Sequence, residues 1–225
     1  MKDYIYIGLE KIEIWPKGVK IHHLDPMVCA AHFPDNEKIR AALEQKFVNE
    51  ETRLRKESPP PWPGAGGVKV REIIEWENPA LKLLNERAKV FYKKILNAPT
   101  AYIDDTWANL YRLGEFIGPH AHRRTEASVV YHLVPPSEEQ QRDCGMYNGA
   151  LGVCDPRIGR CCPMEKGHVT TQLYLPMLPG TMVIFPSFAT HHVTPHTSND
   201  VRISIAWNID REKIPGKAKD DPVIV

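Results

Sequence analysis

Hydrophobic and polar positions change period along this chain, and the change divides it into two regions. The opening residues, MKDYIYIGLEKIEIW, alternate apolar and polar side chains as a half-buried strand does. From Glu37 the spacing lengthens: in EKIRAALEQKFVNEETRLRK, Ile39, Leu43, Phe47 and Leu54 form a stripe at helical intervals, with Asp35 or Asn36 as N-cap candidates. SPPPWPGAGG then ends any regular element, and its composition suits a surface linker or lid-like loop in which Trp62 anchors the loop or stacks on a substrate. A second helix is better marked. Asn78 stands as N-cap, Pro79 follows in the first turn, and Leu81, Leu84, Ala88, Phe91 and Ile95 share one face of ALKLLNERAKVFYKKILN. From Tyr102 onward the pattern becomes one of short strands: NLYRL, SVVYHLV, TTQLYL, TMVIF and VRISIAWNI. These runs predict a single domain over 1–225, with a strand and helix support region at 1–100, a β-rich core at 101–210 and an extended tail at 211–225. Period and composition alone give a mainly β fold buttressed by two or so N-terminal helices.

Composition narrows the function classes. A chain of 225 residues can bury a full core, and all-β barrels often occupy that length as one domain. The formal net charge is +1 with both signs mixed, so no basic block argues for nucleic acid and no acidic tail for a basic partner. The apolar runs fall far short of the roughly 18 residues of a membrane span, and the N-terminus lacks the apolar core of a secretion signal. The expectation is a cytoplasmic protein without membrane association, in which one apolar helix face or the C-terminal arm could support a homodimer. The five cysteines are Cys29, Cys144, Cys154, Cys161 and Cys162. An odd count without an export signal argues against a disulfide framework. Four clustered thiols leave a second metal site open, although their spacings form no paired CxxC knuckles and the adjacent Cys161 and Cys162 point apart on a strand. The segment around them reads as a long insertion that shapes substrate access.

Candidate chemistry lies in the β-rich half. Alternate side chains of an extended strand share a face, so His120 and His122 can reach one metal ion together. His191 is the third candidate, provided the runs on either side of it, Gly180 to Phe185 and Val201 to Ile209, are neighbours in one barrel. Imidazoles suit iron, zinc, copper and nickel, so the ligands alone do not choose the metal. Arg202 and Ser204, two residues apart, would present a guanidinium and a hydroxyl to one carboxylate. A keto acid anchored there could chelate the metal with its other end. Of the remaining histidines, His22, His23, His32 and His168 have no partner pattern, His192 should point away if His191 faces the metal, and His196 is a weaker candidate. Glu126, six residues after His120, is an alternative carboxylate expected at the barrel mouth.

These residues carry a family resemblance. WANLYRLGEFIGPHAH, SVVYHLVPP, GALGVCDPR, LPGTMVIFPSFATHHVTP and RISIAWNI occur in the order found in the 2-oxoglutarate/Fe(II)-dependent oxygenases. The segment from Trp107 to Ile209 resembles that superfamily, and most of all a bacterial and phage group with an HxH...H...RxS pattern. The resemblance implies a double-stranded β-helix, the cupin-like jelly roll, with Fe(II) and 2-oxoglutarate as cofactors. It places His120, His122 and His191 on the metal and Arg202 with Ser204 on the C5-carboxylate, with Tyr111, Tyr131 and His132 where further cosubstrate contacts fall. The wider superfamily usually has Asp or Glu where this chain has His122, which removes a negative charge from the metal's ligands. The implied activity is O2-dependent hydroxylation of a small-molecule or peptide substrate, with release of succinate and CO2 and no side chain required as acid or base. Two other classes remain open on the residues: a three-histidine cupin enzyme that does not use 2-oxoglutarate, and a non-catalytic jelly-roll binding module.

Overall fold

A computed structural model describes residues 3–25, 27–59, 66–122, 125–137, 139–140, 148–154, 172–175 and 177–213. The N-terminal alternation forms a hairpin of β1 (Tyr4–Ile7) and β2 (Glu10–Glu13). β3 (Ile21–Asp25) and β4 (Val28–His32) follow, then α1 (Asn36–Glu57), β5 (Val68–Val70) and α2 (Pro79–Leu96). The remaining strands are β6 (Tyr102–Tyr111), β7 (Ile117–His120), β8 (Ala127–Val134), β9 (Leu151–Cys154), β10 (Gln172–Tyr174), β11 (Thr181–Pro186), β12 (His191–Val193) and β13 (Arg202–Asp210).

The strands from β6 onward, with β3, β4 and β5 extending the edges of one sheet, form the jelly roll. Its larger sheet has the order β3-β4-β11-β8-β13-β6-β5 and its smaller sheet β10-β9-β12-β7, with every recorded pairing antiparallel. Period-two alternation divides the larger sheet between two environments. Ile203, Ile205, Trp207 and Ile209 of β13, with Val129, Tyr131 and Leu133 of β8, pack in the core that contains the helices. Trp107 and Tyr111 of β6, Val130 of β8, Val183 and Phe185 of β11 and Ala206 of β13 form the second core with Leu151, Val153 and Val193 of the smaller sheet. Functional side chains must therefore come from this inner set to reach the space between the sheets.

The helices serve the outer face of the larger sheet. Asn78 caps α2, accepting from the Ala80 and Leu81 amides, with Pro79 in the first turn. α1 starts differently: Asp35 holds the cap position, but its carboxylate pairs with the fully buried Arg87 at 2.7 Å, and the Asn36 amide donates to the Leu133 carbonyl. Tertiary partners have taken both candidate caps. α1 is also tied to the β6–β7 connection by buried Glu51 and Glu115. Arg55 bridges the two at 2.9 and 2.8 Å, and Arg112 meets Glu51 at 2.6 Å. This network holds the end of β6 that carries Tyr111.

Trp62, His168, Cys144, Cys161, Cys162 and residues 214–225 lie outside the described residues. Cys29 is buried and Cys154 half-buried, both as free thiols.

Candidate metal and cosubstrate site

Strand pairing brings the three candidate histidines together. His191, the first residue of β12, lies opposite His120, the last of β7. His122 follows beyond the strand end, where its amide donates to the Ser187 carbonyl at 2.8 Å in the β11–β12 turn. The alternation argument thus placed His120 correctly on a strand, whereas His122 is held by a turn. One ligand atom from each of His120, His122 and His191 lies within 4.8 Å of the others. The expected adjacency of the flanking strands is indirect: β8 lies between β11 and β13, and His191 itself belongs to the opposite sheet.

Hydrogen bonds orient all three rings. Nδ1–H of His120 donates to the Gly118 carbonyl at 2.9 Å, and that of His191 to the Ala189 carbonyl at 3.0 Å. Nδ1–H of His122 is shared between Asn208 Oδ1 at 2.7 Å and Ser128 Oγ at 3.1 Å. Each acceptor fixes the tautomer that puts the ring's lone pair on Nε2, which is how outer hydrogen bonds prepare imidazoles for a metal. Burial pushes the His191 imidazole down to about 3, reinforced by its histidine neighbours, and burial also lowers His120. Three convergent imidazoles, each with its Nδ1 engaged in a hydrogen bond, are a donor set that a borderline divalent ion such as iron takes. Glu126, the alternative carboxylate, does not join them. Its carboxylate is taken by Arg211, at 3.0 Å from Nε, and by the Tyr92 hydroxyl.

A second polar group lies deeper between the sheets. Arg202, 1% exposed, donates from Nη1 to Ser204 Oγ at 3.2 Å, and its guanidinium lies 5.2 Å from the Tyr111 ring centre. Among the described residues its Nε has no hydrogen-bond partner, nor does either nitrogen of buried His132 or Nδ1 of buried His196. Burial pulls Arg202 down to about 10 and, with Arg202's charge adding to it, His132 down to about 3. Tyr111 is pushed up to about 12 by burial, against the guanidinium's opposing pull. An uncompensated guanidinium and several unspent polar atoms in one buried pocket carry a desolvation cost that a bound anion would offset. The pocket therefore fits a carboxylate.

Not every expected contact is there. Tyr131 stands on the other face of β8, where its hydroxyl donates to Asn36 Oδ1 at 2.8 Å inside the helix-side core. The one-residue step from His132 accounts for this, since neighbouring strand residues face opposite ways. Two residues of this pocket were not assigned to it from the sequence, where His196 was only a weaker metal candidate. His196 closes the pocket, with Nε2 on the Asp200 carbonyl at 2.8 Å. Gly149 has φ +55°, and a Cβ there would meet Arg202 Cδ at 3.0 Å and His196 Nδ1 at 3.2 Å. His196 sits in an irregular segment without a period to assign its direction, whereas Gly149 belongs to a recognised motif, GALGVCDPR, which could have drawn attention to it. His192 packs away from the cluster against Tyr174, with ring centres 6.0 Å apart.

The jelly roll thus sets three clustered histidines at one end and a buried arginine between its sheets. Residues 105–208 match the model of a family described as "Putative 2OG-Fe(II) oxygenase", a little under half of the chain and a span that includes all these residues except those of the N-terminal support. Solved structures agree in fold. AviO1 from Streptomyces viridochromogenes Tue57 is 17% identical with a TM-score of 0.58, covering 84% of this chain and 90% of its own. A prolyl-4-hydroxylase from Pseudomonas putida is 18% identical with a TM-score of 0.50, covering 82% and 93%. SnoN, a non-heme alpha-ketoglutarate-dependent epimerase from nogalamycin biosynthesis, is 15% identical with a TM-score of 0.54, covering 85% and 86%. No curated protein shows significant sequence similarity to the chain. The match over residues 105–208 makes that stretch similar to the 2-oxoglutarate/Fe(II)-dependent oxygenases, and the solved structures share the fold.

Proposed function

We propose that this protein hydroxylates a small-molecule or peptide substrate, with His120, His122 and His191 holding Fe(II) and Arg202 with Ser204 anchoring the C5-carboxylate of 2-oxoglutarate. The observation that carries the reading is the buried Arg202 guanidinium, which lacks a carboxylate partner among the described residues, on the same jelly roll as the three clustered histidines. Tyr111, His132 and His196 line the same pocket and supply further polar contacts to the cosubstrate. When bound, Fe(II) and 2-oxoglutarate supply an O2-dependent oxidation of a substrate C–H bond, releasing succinate and CO2.

The chain's own residues position and shield. Arg202 and Ser204 fix one end of the keto acid, so that its other end meets the metal in a single orientation. Asn208 and Ser128 hold the His122 ring at its angle. Trp107, Phe185 and Val193 exclude water around the histidines. Three neutral ligands leave the full charge of a divalent ion in place, and the dianionic cosubstrate offsets it.

The test is anaerobic titration with Fe(II) and then 2-oxoglutarate, followed by the visible metal-to-ligand charge-transfer band. Its appearance, together with succinate formation in air, is the expected result. Confirmed Fe(II) binding without the band would move the assignment to the three-histidine cupin class, and absence of metal binding to a binding module. Of the described helices, none is long and apolar enough to cross a membrane, and we place the activity in the cytoplasm.

A further inference from the structure

Lys69 is a charged group at the mouth that the reading above leaves without a task. It lies on β5, in register with Asn109 of β6, while its neighbours Val68 and Val70 pack into the helix-side core. Its side chain consequently turns to the inner face of the larger sheet. Nζ stands 3.7 Å from the centre of the Trp107 ring, and the Trp107 ring in turn meets His122 edge-on at 5.4 Å. One aromatic ring thus separates the ammonium from the histidine cluster.

The ammonium makes neither a hydrogen bond nor an ion pair with any described residue; Asp105 attracts it from beyond ion-pair distance and Arg71 repels it. Burial leads the causes that bring the group down to about 8, with the repulsion from Arg71 adding to it. An aromatic face holds a cation without neutralising it. A half-buried lysine in this condition carries a desolvation cost that an incoming anion would offset. The neighbouring histidines contribute no negative charge, and Asp105, the acidic group that attracts the ammonium, stands beyond ion-pair distance.

We propose that Lys69 is a substrate-anchoring residue that binds a carboxylate or phosphate group on the molecule to be oxidised, making the substrate class an organic anion. The inference rests on the oxygenase reading of the site. Lys69 fixes the charged end of the substrate over Trp107 and directs a neighbouring carbon toward the histidine cluster.

The test uses the full chain loaded anaerobically with Fe(II) and 2-oxoglutarate. Lysines are acylated by an amine-directed reagent, labelling of the Lys69 peptide is followed by mass spectrometry, and exposed Lys82 on α2 serves as internal control. Inorganic phosphate or acetate, compared with chloride at matched ionic strength, is expected to slow Lys69 labelling severalfold and leave Lys82 unchanged. Stronger protection by phosphate would assign a phosphoryl group, and stronger protection by acetate a carboxylate. Equal Lys69 labelling in all three salts would overturn the proposal. Lys69→Gln is expected to keep 2-oxoglutarate affinity within about twofold in the charge-transfer titration. A loss well beyond that would assign Lys69 to the cosubstrate and also overturn it. Absence of the charge-transfer band in the wild type refutes the oxygenase reading by itself, and labelling protection is read separately on the same sample.

Discussion

Replacing Arg202 by Met should make the ligand-free protein more stable and the cosubstrate weaker, two effects of opposite sign from one side chain. Arg202 is 1% exposed, with Ser204 Oγ as its recorded hydrogen-bond acceptor, and burial draws it from 12.5 to about 10. That displacement corresponds to a penalty on the charged form on the order of 3 kcal/mol. Met fills most of the same volume without a charge, so removing the penalty should stabilise the ligand-free fold by roughly 1–3 kcal/mol. For a chain of this size, about 2 kcal/mol raises the melting temperature by roughly 4–8 °C. Binding should move the other way. Truncating one partner of a buried, hydrogen-bonded charge pair costs about 2–5 kcal/mol, so 2-oxoglutarate affinity should fall by at least about thirtyfold. Fe(II) affinity in the absence of 2-oxoglutarate should change little, because the histidines do not touch Arg202. Thermal unfolding without ligands and anaerobic charge-transfer titration measure the two effects. A variant that melts several degrees below the wild type would show that the guanidinium already has its partner inside the protein. A 2-oxoglutarate affinity changed by less than about threefold, or ~0.6 kcal/mol, would show that no carboxylate docks there.

Other perturbations test neighbouring links. His196→Phe removes a buried polar atom from the pocket and should weaken 2-oxoglutarate by about 1.5–3 kcal/mol, the scale of a hydrogen bond to a charged group, with Fe(II) binding unchanged in a metal titration. Asn208→Ala frees the His122 ring from its 2.7 Å hydrogen bond and should lower Fe(II) affinity by roughly 10- to 100-fold, read by competition with a chelator. Gly149→Ala places a Cβ at φ +55°, 3.0 Å from Arg202 Cδ; denaturant melts should show a loss of about 1–2 kcal/mol alongside weaker 2-oxoglutarate binding. His132 has a folded-state value of about 3 against an ordinary 6.5, so the unfolded chain binds more protons between those limits. Its contribution to stability is complete above about pH 6.5 and declines as pH falls toward 3, by up to about 1.4 kcal/mol per pH unit. His132→Phe should flatten the acid limb of stability against pH in metal-free protein, and an unchanged limb would count against a neutral buried imidazole.

The β half was the more legible because its period maps directly onto two faces. VRISIAWNI separates by alternation into Ile203, Ile205, Trp207 and Ile209 against the helices and Arg202, Ser204, Ala206 and Asn208 toward the interior. The same rule opposes Tyr131 to His132, so the two could not both enter the pocket. α2 was equally plain, its Asn-Pro start being local chemistry. The start of α1 was less so, because Arg87 and Tyr131, distant in sequence, take the side chains of Asp35 and Asn36. His196 and Lys69 were hidden for a related reason: each acts through contacts across the fold, and neither belongs to a spaced motif.

The inner face of β13 would let one strand serve both the proposed cosubstrate pocket and the proposed metal site. Successive inward residues are about 6.6–6.8 Å apart along a strand. Arg202 folds back to Ser204, which brings its charge one such step closer to Ala206, while Asn208 one step beyond Ala206 holds the His122 ring. Between these anchors Ala206 offers only a methyl group, in the same inner cluster as Trp107 and Val130, and a linear dicarboxylate held by Arg202 would have to run past it to bring its keto end to the histidines. Ala206→Leu should therefore abolish the 2-oxoglutarate charge-transfer band while the variant still binds Fe(II) at its three histidines. A band that persisted at wild-type intensity would mean that the keto acid does not pass along β13, and the link between the Arg202 pocket and the metal site would have to be abandoned.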